Sequence, residues 1–437
     1  MPSNVKQSLE HSFEYTLNET LYNSFDQGYY IGMMSGTSLD GMDAVICQFD
    51  NDATNKIVAT HSKDFPDNLR EVLLALCVPN GTSNLTMSAD KFAIAQQPQS
   101  ELEWFGWASR EYAEFASHVV NELLEQADIA AESILAIGCH GQTVRHRPNL
   151  GFTLQLVDPN IIAERTGISV VTDFRRRDMA VGGQGAPLAP AFHLAQFAES
   201  HQSTDSEDII VVNLGGIANI TVLPSKQIDK VTGYDTGPAN ILLDAWYQHH
   251  YQSHIQGSSL DQSEPLYDKS GIWAQSGEVN SELLELLLSH PYFAHATPKS
   301  TGREDFNLNW LQSQIKIIET KLGHTLDIAD VQATLTALTA QSLADAIKQE
   351  AINLHMSAGD IIVCGGGAYN VNLLAQIAKR LPNWEVATSA KFGIAPTWVE
   401  AMAFAWLARQ TIMGETGNLP AVTGANKAVV LGQVCFA

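Results

Sequence analysis

Three stretches of the sequence place glycine and small polar residues directly after an apolar run: Met34-Ser35-Gly36-Thr37-Ser38-Leu39-Asp40-Gly41, Leu214-Gly215-Gly216-Ile217-Ala218-Asn219 and Cys364-Gly365-Gly366-Gly367-Ala368. Glycine has no Cβ, so backbone N–H groups at such turns can approach an anion closely and form a concave nest around it. Each stretch by itself also fits an ordinary tight turn; jointly they point to phosphate. The commoner phosphate grips are absent, since the chain contains no G-x-x-x-x-G-K-[ST] and no G-x-G-x-x-G leading from a strand into a helix. Ser38 is not the nucleophile of a hydrolase elbow, because Asp40 stands where G-x-S-x-G needs its second glycine. His250 and His254 could share a helix face, but Tyr251 follows His250 where a zinc protease motif requires glutamate. Cys47, Cys77, Cys139, Cys364 and Cys435 form no C-x-x-C pair, which argues against a zinc site or a disulfide framework and for buried thiols in a reducing compartment.

These turns need elements to hold them. From Tyr29 the pattern reads strand, small-residue turn, and a second strand through Ala44-Val45-Ile46-Cys47. Helical spacing follows over 69–77 and about 101–127, where Trp104, Trp107, Phe115, Val119 and Leu123 mark an apolar stripe that reads as core. Strand-like runs at Ile134–Cys139, Phe152–Leu156 and Ile168–Thr172 alternate with helical segments, the signature of an α/β domain. The pattern then restarts: strand Ile209–Asn213, the second glycine turn, and a returning strand Ile220–Leu223. Helices are expected at about 281–288, 308–322 and 331–351, then the strand Asp360–Cys364 with the third glycine turn, and helices near 370–381 and 396–412. We therefore expect an extension over 1–27, one lobe over 28–205 and a second over 206–437, with a cleft between the lobes.

A chain of 437 residues exceeds what one hydrophobic core usually serves. Hydrophobic residues make up 45% and charged residues only 17%, which excludes a disordered protein. The formal net charge of −23 disfavours broad contact with nucleic acid or anionic lipid. An anionic small molecule would have to be met by local donors, for which the dense basic run Arg175-Arg176-Arg177 is the candidate. No apolar stretch reaches the roughly 20 residues of a membrane span, and the first 30 residues carry four acidic side chains with no apolar signal region, so a cytoplasmic protein is expected.

The order of the three glycine turns resembles the two phosphate hairpins and the adenosine loop of the actin-like ATPases. Beyond them, the strings Gly32–Asp43, Gly138-Cys139-His140-Gly141-Gln142-Thr143, Asp173-Phe174-Arg175-Arg176-Arg177-Asp178, Gly182–Leu188, Gly233-Tyr234-Asp235-Thr236-Gly237-Pro238, Pro298–Glu304 and Trp398–Trp406 are similar to those of the anhydro-N-acetylmuramic acid kinases. The likeness runs from about residue 29 to the last residue. It implies two ribonuclease H-like lobes and an ATP- and Mg²⁺-dependent enzyme of cell-wall recycling. The implied substrate is 1,6-anhydro-N-acetylmuramic acid and the product N-acetylmuramate 6-phosphate, with a homodimer expected and neither nucleic acid nor membrane as partner.

By the same resemblance Asp235 is the base; a carboxylate before Gly237-Pro238 could otherwise cap the next helix. Gly36, Thr37, Ser38, Leu39, Asp40, Gly41, Met42, Asp43, Gly215, Gly216, Gly366 and Gly367 are assigned to the nucleotide. Asp40 is assigned to the metal through water, with Asp43 as rival. Gln142, Thr143, Arg177, Asp178 and Glu400 are placed around the sugar, a guanidinium suiting its lactyl carboxylate. Any of these could instead hold loops together, and Glu400 could serve as a helix N-terminal carboxylate. A chaperone-type ATPase or a hexose kinase of the same superfamily is the competing reading.

Overall fold

A computed structural model describes residues 28–36, 39–49, 55–85, 98–198, 207–255 and 267–437. The expected extension over 1–27 lies outside the described residues. The chain divides into two compact units: the described residues within Met1–Ser200 and Glu400–Ala437 form the first, and those within His201–Val399 the second.

The first unit is built on β1 (Tyr29–Met34), β2 (Gly41–Gln48), β3 (Lys56–Asp64), β4 (Ile134–Cys139), β5 (Gln142–Arg147), β6 (Phe152–Leu156) and β7 (Val170–Thr172). The apolar run of β1 is almost wholly buried, as a central strand covered on both faces should be. Pairing gives the order β3-β2-β1-β4-β7, with β2 antiparallel to both neighbours and β1, β4 and β7 parallel. Strands β5 and β6 form a separate hairpin. The helix Glu101–Ala127 starts where the Ser100 side chain accepts from the Glu103 amide and stops at Asp128 in the left-handed region. Its Trp104, Phe115, Val119 and Leu123 are buried in the core of this unit, as the stripe requires.

The second unit repeats the plan with β8 (Asp208–Leu214), β9 (Ile217–Leu223), β10 (Thr232–Pro238), β11 (Gly359–Cys364) and β12 (Trp384–Thr388), in the order β10-β9-β8-β11-β12. Here too the second strand is antiparallel to its neighbours, and the first, fourth and fifth are parallel. The same order and strand directions in both units make them two ribonuclease H-like α/β domains, the architecture of the actin-like ATPases. The 27-residue helix Ile328–Leu354, capped by Asp327, covers the second sheet through Ala340, Leu343, Ala344 and Ile347.

Two differences from the sequence reading matter below. The chain from Glu400 onward belongs with the first unit rather than with 206–399. Its final strand β13 (Gln433–Cys435) pairs antiparallel with β7, and the helix Val399–Met413 lies against glycines of β1 and β4. Asp235 sits within β10, opposite Asn219 of β9, rather than as a cap of the helix that starts at Asn240.

Candidate active site

In the first unit the glycine turn joins β1 to β2. Gly36 accepts from the Leu39 amide at 3.2 Å, and Leu39 holds φ 56°, a left-handed conformation that non-glycine residues adopt at a cost. Thr37 and Ser38 lie outside the described residues. Arg70 steadies the turn by donating from Nε to the Leu39 carbonyl at 2.9 Å and from Nη2 to Asp40 at 3.1 Å. Asp40 is exposed. Asp43, inside β2 opposite Ser62, is half-buried, and burial raises its pKa against the opposing Ser62 hydrogen bond. The Met42 side chain is core, so only its backbone could serve a nucleotide. A Cβ on Gly41 would come within 2.5 Å of the Lys63 carbonyl, so the first residue of β2 has to be glycine.

Ser35 ties this turn to the next motif: its hydroxyl donates to Gln142 Oε1 at 2.8 Å and contacts the Tyr112 hydroxyl at 3.0 Å. Gln142 opens β5 and is buried; Thr143 Oγ1 accepts from Gln155 at 2.9 Å. Asp178 is fully buried with both oxygens engaged: Oδ1 accepts from Asn418 and Thr423 at 2.7 Å each, Oδ2 from the Gly185 amide at 2.8 Å. Among the basic run, Arg177 is exposed and Arg176 pairs with Asp173. Arg175 instead donates from Nε to His140 Nε2 at 2.9 Å and from Nη1 to the Gly185 carbonyl at 3.1 Å. Glu400, in the first turn of the helix Val399–Met413, is close enough for its charge to act on Arg175.

In the second unit the other two glycine turns meet. Gly215 and Gly216 join β8 to β9, and their carbonyls accept the amides of Ala239, Asn240 and Ile241 at 3.0–3.1 Å, which anchors the helix Asn240–Ile255. Asn240 Nδ2 donates to the Leu214 carbonyl at 3.1 Å, and a Cβ on Gly367 would strike Leu214 at 2.6 Å and Asn240 Oδ1 at 3.2 Å. Gly365 holds φ 80° with its missing Cβ 2.3 Å from Asn213 Oδ1. By contrast, a Cβ on Gly215 would meet nothing nearer than 3.6 Å, and one on Gly366 nothing nearer than 4.0 Å. Two backbone segments held tightly from behind therefore present open faces, the arrangement that suits approach of a phosphate chain.

Asp235 is gripped at three points. Its amide donates to the Lys299 carbonyl at 3.0 Å, its carbonyl accepts from the Tyr292 hydroxyl at 2.6 Å, and Oδ2 accepts from the Thr301 amide at 3.1 Å. Burial lifts its pKa to about 6; the Thr301 amide works against that rise and the charge of Glu304 adds to it. Among the described residues no donor is bound to Oδ1. A carboxylate fixed in this way and poised near neutrality is suited to take a proton.

The family model for anhydro-N-acetylmuramic acid kinase matches residues 28–437. The chain belongs to that family. A relative of that name from Psychrobacter cryohalolentis is 57% identical over 96% of this chain and 97% of its own length. Another, from Shewanella pealeana, is 46% identical over 93% and 98%. A solved glucokinase of the ROK family from Streptomyces griseus, in complex with glucose and AMPPNP, covers 88% of this chain and all of its own at 15% identity and a TM-score of 0.36. As an anhydro-N-acetylmuramic acid kinase the chain is a phosphotransferase acting on a small amino sugar. Among the described residues no helix is long and apolar enough to cross a membrane, and no group of three His, Cys, Asp or Glu could hold a metal.

Several residues of the candidate site escaped the sequence reading. His140 and Thr301 lie inside the strings that carry the resemblance and Tyr292 outside them, and nothing in their spacing marks them, while Arg175 stood out only as one of the basic run 175–177. Their importance comes from contacts between segments far apart in sequence, which periodicity does not report. Arg175 is the instructive case: of three adjacent arginines, the one turned inward carries the network.

Proposed function

We propose that the enzyme uses ATP to phosphorylate O6 of 1,6-anhydro-N-acetylmuramic acid while water opens the anhydro bridge at C1. The observation that carries this reading is Asp235: a half-buried carboxylate whose pKa desolvation lifts to about 6, one oxygen bonded to the Thr301 amide and the other without a protein donor among the described residues. The substrate has no free 6-hydroxyl, so ring opening and phosphoryl transfer have to be coupled. Asp235 takes a proton from water as that water bonds to C1. The C1–O6 bond breaks, its electron pair stays on O6, and O6 takes the γ-phosphoryl group as ADP leaves. The base then returns its proton to solvent.

The second unit's glycine turns at Gly215, Gly216, Gly366 and Gly367, of which Gly215 and Gly366 present open faces, are assigned to ATP, and so is the first unit's turn from Gly36 to Asp43. Asp40 would hold Mg²⁺ through water, which suits an ion usually bound by one or two carboxylates plus phosphates; the ion would neutralise phosphate charge. Gln142, Thr143, Arg177 and Glu400 are assigned to the sugar, whereas Asp178, with both oxygens engaged internally, acts by holding its loop. A homodimer in the cytoplasm remains the expected state by family. The test is incubation of pure protein with ATP and either the anhydro sugar or simple hexoses, reading ADP. Release with the anhydro sugar alone is expected; release with hexoses alone would make it an ordinary hexokinase, and ATP turnover indifferent to sugar would make it a chaperone-type ATPase.

A further inference from the structure

Asp235 lies at the edge of its sheet, since β10 ends the order β10-β9-β8-β11-β12, and its pairing with β9 slips between Asp235 and Gly237. The ladder alone therefore leaves the backbone at this carboxylate incompletely fixed. A ring of hydrogen bonds fixes it from outside the sheet. The Asp235 amide donates to the Lys299 carbonyl at 3.0 Å, and the Asp235 carbonyl accepts from the Tyr292 hydroxyl at 2.6 Å. The Lys299 side chain closes the ring. Its Nζ donates to the carbonyls of Tyr292 at 3.1 Å and Phe293 at 3.0 Å, in the turn Pro291–Ala294, and lies 4.7 Å from the centre of the Tyr292 ring. Among the described residues this ammonium forms no ion pair with a carboxylate. In a chain where acidic residues outnumber basic ones 48 to 25, a lysine reserved for carbonyls and a ring marks a local task. The turn it grips is anchored, because Tyr292 is buried in the core with its ring edge-on to Phe306. The same turn abuts the far side of the slip, where a Cβ on Gly237 would come within 2.8 Å of the Phe293 ring. Two residues beyond Lys299, the Thr301 amide reaches Asp235 Oδ2 at 3.1 Å.

We infer that Lys299 is a positioning residue for the reaction: its side chain ties the turn Pro291–Ala294 to the segment 299–301, so that Tyr292 and the Thr301 amide together hold the Asp235 carboxylate in place. Its bearing on catalysis rests on the reading of Asp235 as the base. Without the Nζ bonds, Asp235 would be joined to two segments free to move separately; with them, three residues form one ring in which each bond supports the others. The chemically important bond is the one from Thr301, which opposes the rise that burial imposes on the Asp235 pKa. The charged groups around the ring are Glu304, whose charge acts on Asp235, and Asp305, which accepts from Thr301 Oγ1 at 2.7 Å; His290 and His295 lie beside Tyr292. Tyr292 remains a donor, since burial and then the charges of Asp235 and Asp305 raise its pKa. Burial lowers the Lys299 pKa, but the two carbonyl bonds need only two N–H groups. Because burial, the Thr301 amide and the Glu304 charge are what set the Asp235 pKa, removing the lysine tests the hold rather than a direct attraction.

The experiment uses the full-length chain labelled with ¹³C at the aspartate carboxyl carbons, titrated without substrate, with the Asp235 signal identified by its loss in Asp235→Asn. In Lys299→Met, which keeps the stem and removes the donors, the Asp235 midpoint should rise by about half a pH unit or more, the worth of a loosened amide bond. The acid limb of kcat/KM should move up with it, and kcat at pH 7 should fall about tenfold while the ATP KM does not change. Lys299→Arg, which keeps donors for both carbonyls, should restore the midpoint and the limb. Tyr292→Phe should move the midpoint in the same direction, and combining it with Lys299→Met should take it no further than the larger single change, because both cut one ring. A less stable protein with an unmoved Asp235 midpoint in Lys299→Met overturns the inference and leaves the lysine a prop of its loop. If that variant does not fold, an unmoved midpoint in Tyr292→Phe does so instead. A moved midpoint with an unmoved acid limb would uphold the positioning of Asp235 and remove that residue as the base.

Discussion

At Asp235 one physical cause, burial, governs both activity and stability. Asp235→Asn keeps shape and can still accept from Thr301, but cannot take a proton from water. Turnover should fall by about 10²–10⁴-fold with ATP binding unchanged; an Asn variant within a few-fold of wild type would show that this residue is not the base. In the wild type, kcat/KM should fall on the acid side around pH 6, where the carboxyl protonates. The stability effect has the opposite sense. Asp235 binds its proton more tightly folded than unfolded, so its contribution to stability is greatest below its ordinary value of 3.8 and is lost as pH rises through about 6. Asp235→Asn should accordingly melt above wild type at pH 7, with the gap closing below about pH 4. Thermal melts across pH 4–8 read this directly, and a variant no more stable at neutral pH would mean that burial does not cost the carboxylate its charge. Asp235 could be singled out from the string Gly233–Pro238, but its pKa could not, because burial, the Thr301 amide and the Glu304 charge set it, the last two from residues more than 60 positions away.

Among the elements, two glycines decide where Glu400 lies. Gly32 of β1 and Gly138 of β4 are register partners, and a Cβ on either would strike the backbone of the helix Val399–Met413, at 1.9 Å from the Ala401 carbonyl and 2.0 Å from that of Phe404. The helix seats on the sheet only because both side chains are missing there, and its small residues Ala401, Ala405 and Ala408 complete the close approach. Gly138→Ala should therefore lower the melting temperature and raise the sugar KM, since the helix must lift and carries Glu400 with it. Core overpacking of this kind typically costs about 1–3 kcal/mol. A normal melt and sugar KM for this variant would mean that the contact is not rigid. The strands and long helices were legible because their burial follows simple periods: Ile134–Cys139, Phe152–Leu156, Ser281–Leu288 and Leu308–Leu322 fall where the apolar pattern puts them. β3 was not, because half-buried and exposed positions share it and its apolar run, Ile57-Val58-Ala59, is only three residues long with Val58 exposed. Nor was the placement of the C-terminal segment, since pairing of β13 with β7 joins residues more than 260 positions apart.

Over the whole molecule, charge sets a different expectation from the one local donors suggest. The net charge of −23 opposes an anionic sugar and ATP alike. The basic run that could have offset it is largely spent: Arg175 is half-buried and bonded to His140 and Gly185, Arg176 is exposed but paired with Asp173, and Arg177 is exposed with no ion pair among the described residues. Elsewhere Arg145, Arg165, Lys321 and Lys391 each pair with a glutamate. With the glycine turns assigned to ATP and Arg177 to the sugar, as proposed above, an approaching anion meets a mainly repulsive field at long range and attraction only once it is within reach of those groups. Salt shortens that range from about 30 Å at 0.01 M to about 8 Å at 0.15 M. Between those ionic strengths kcat/KM for the anhydro sugar, measured at saturating ATP, should rise, because screening removes the long-range repulsion while contacts inside the site are screened far less. An analogue lacking the lactyl carboxylate should show a smaller rise. A fall in kcat/KM with salt would mean that attraction near Arg177 outweighs the field of the whole chain, and Arg177→Gln should then abolish that fall.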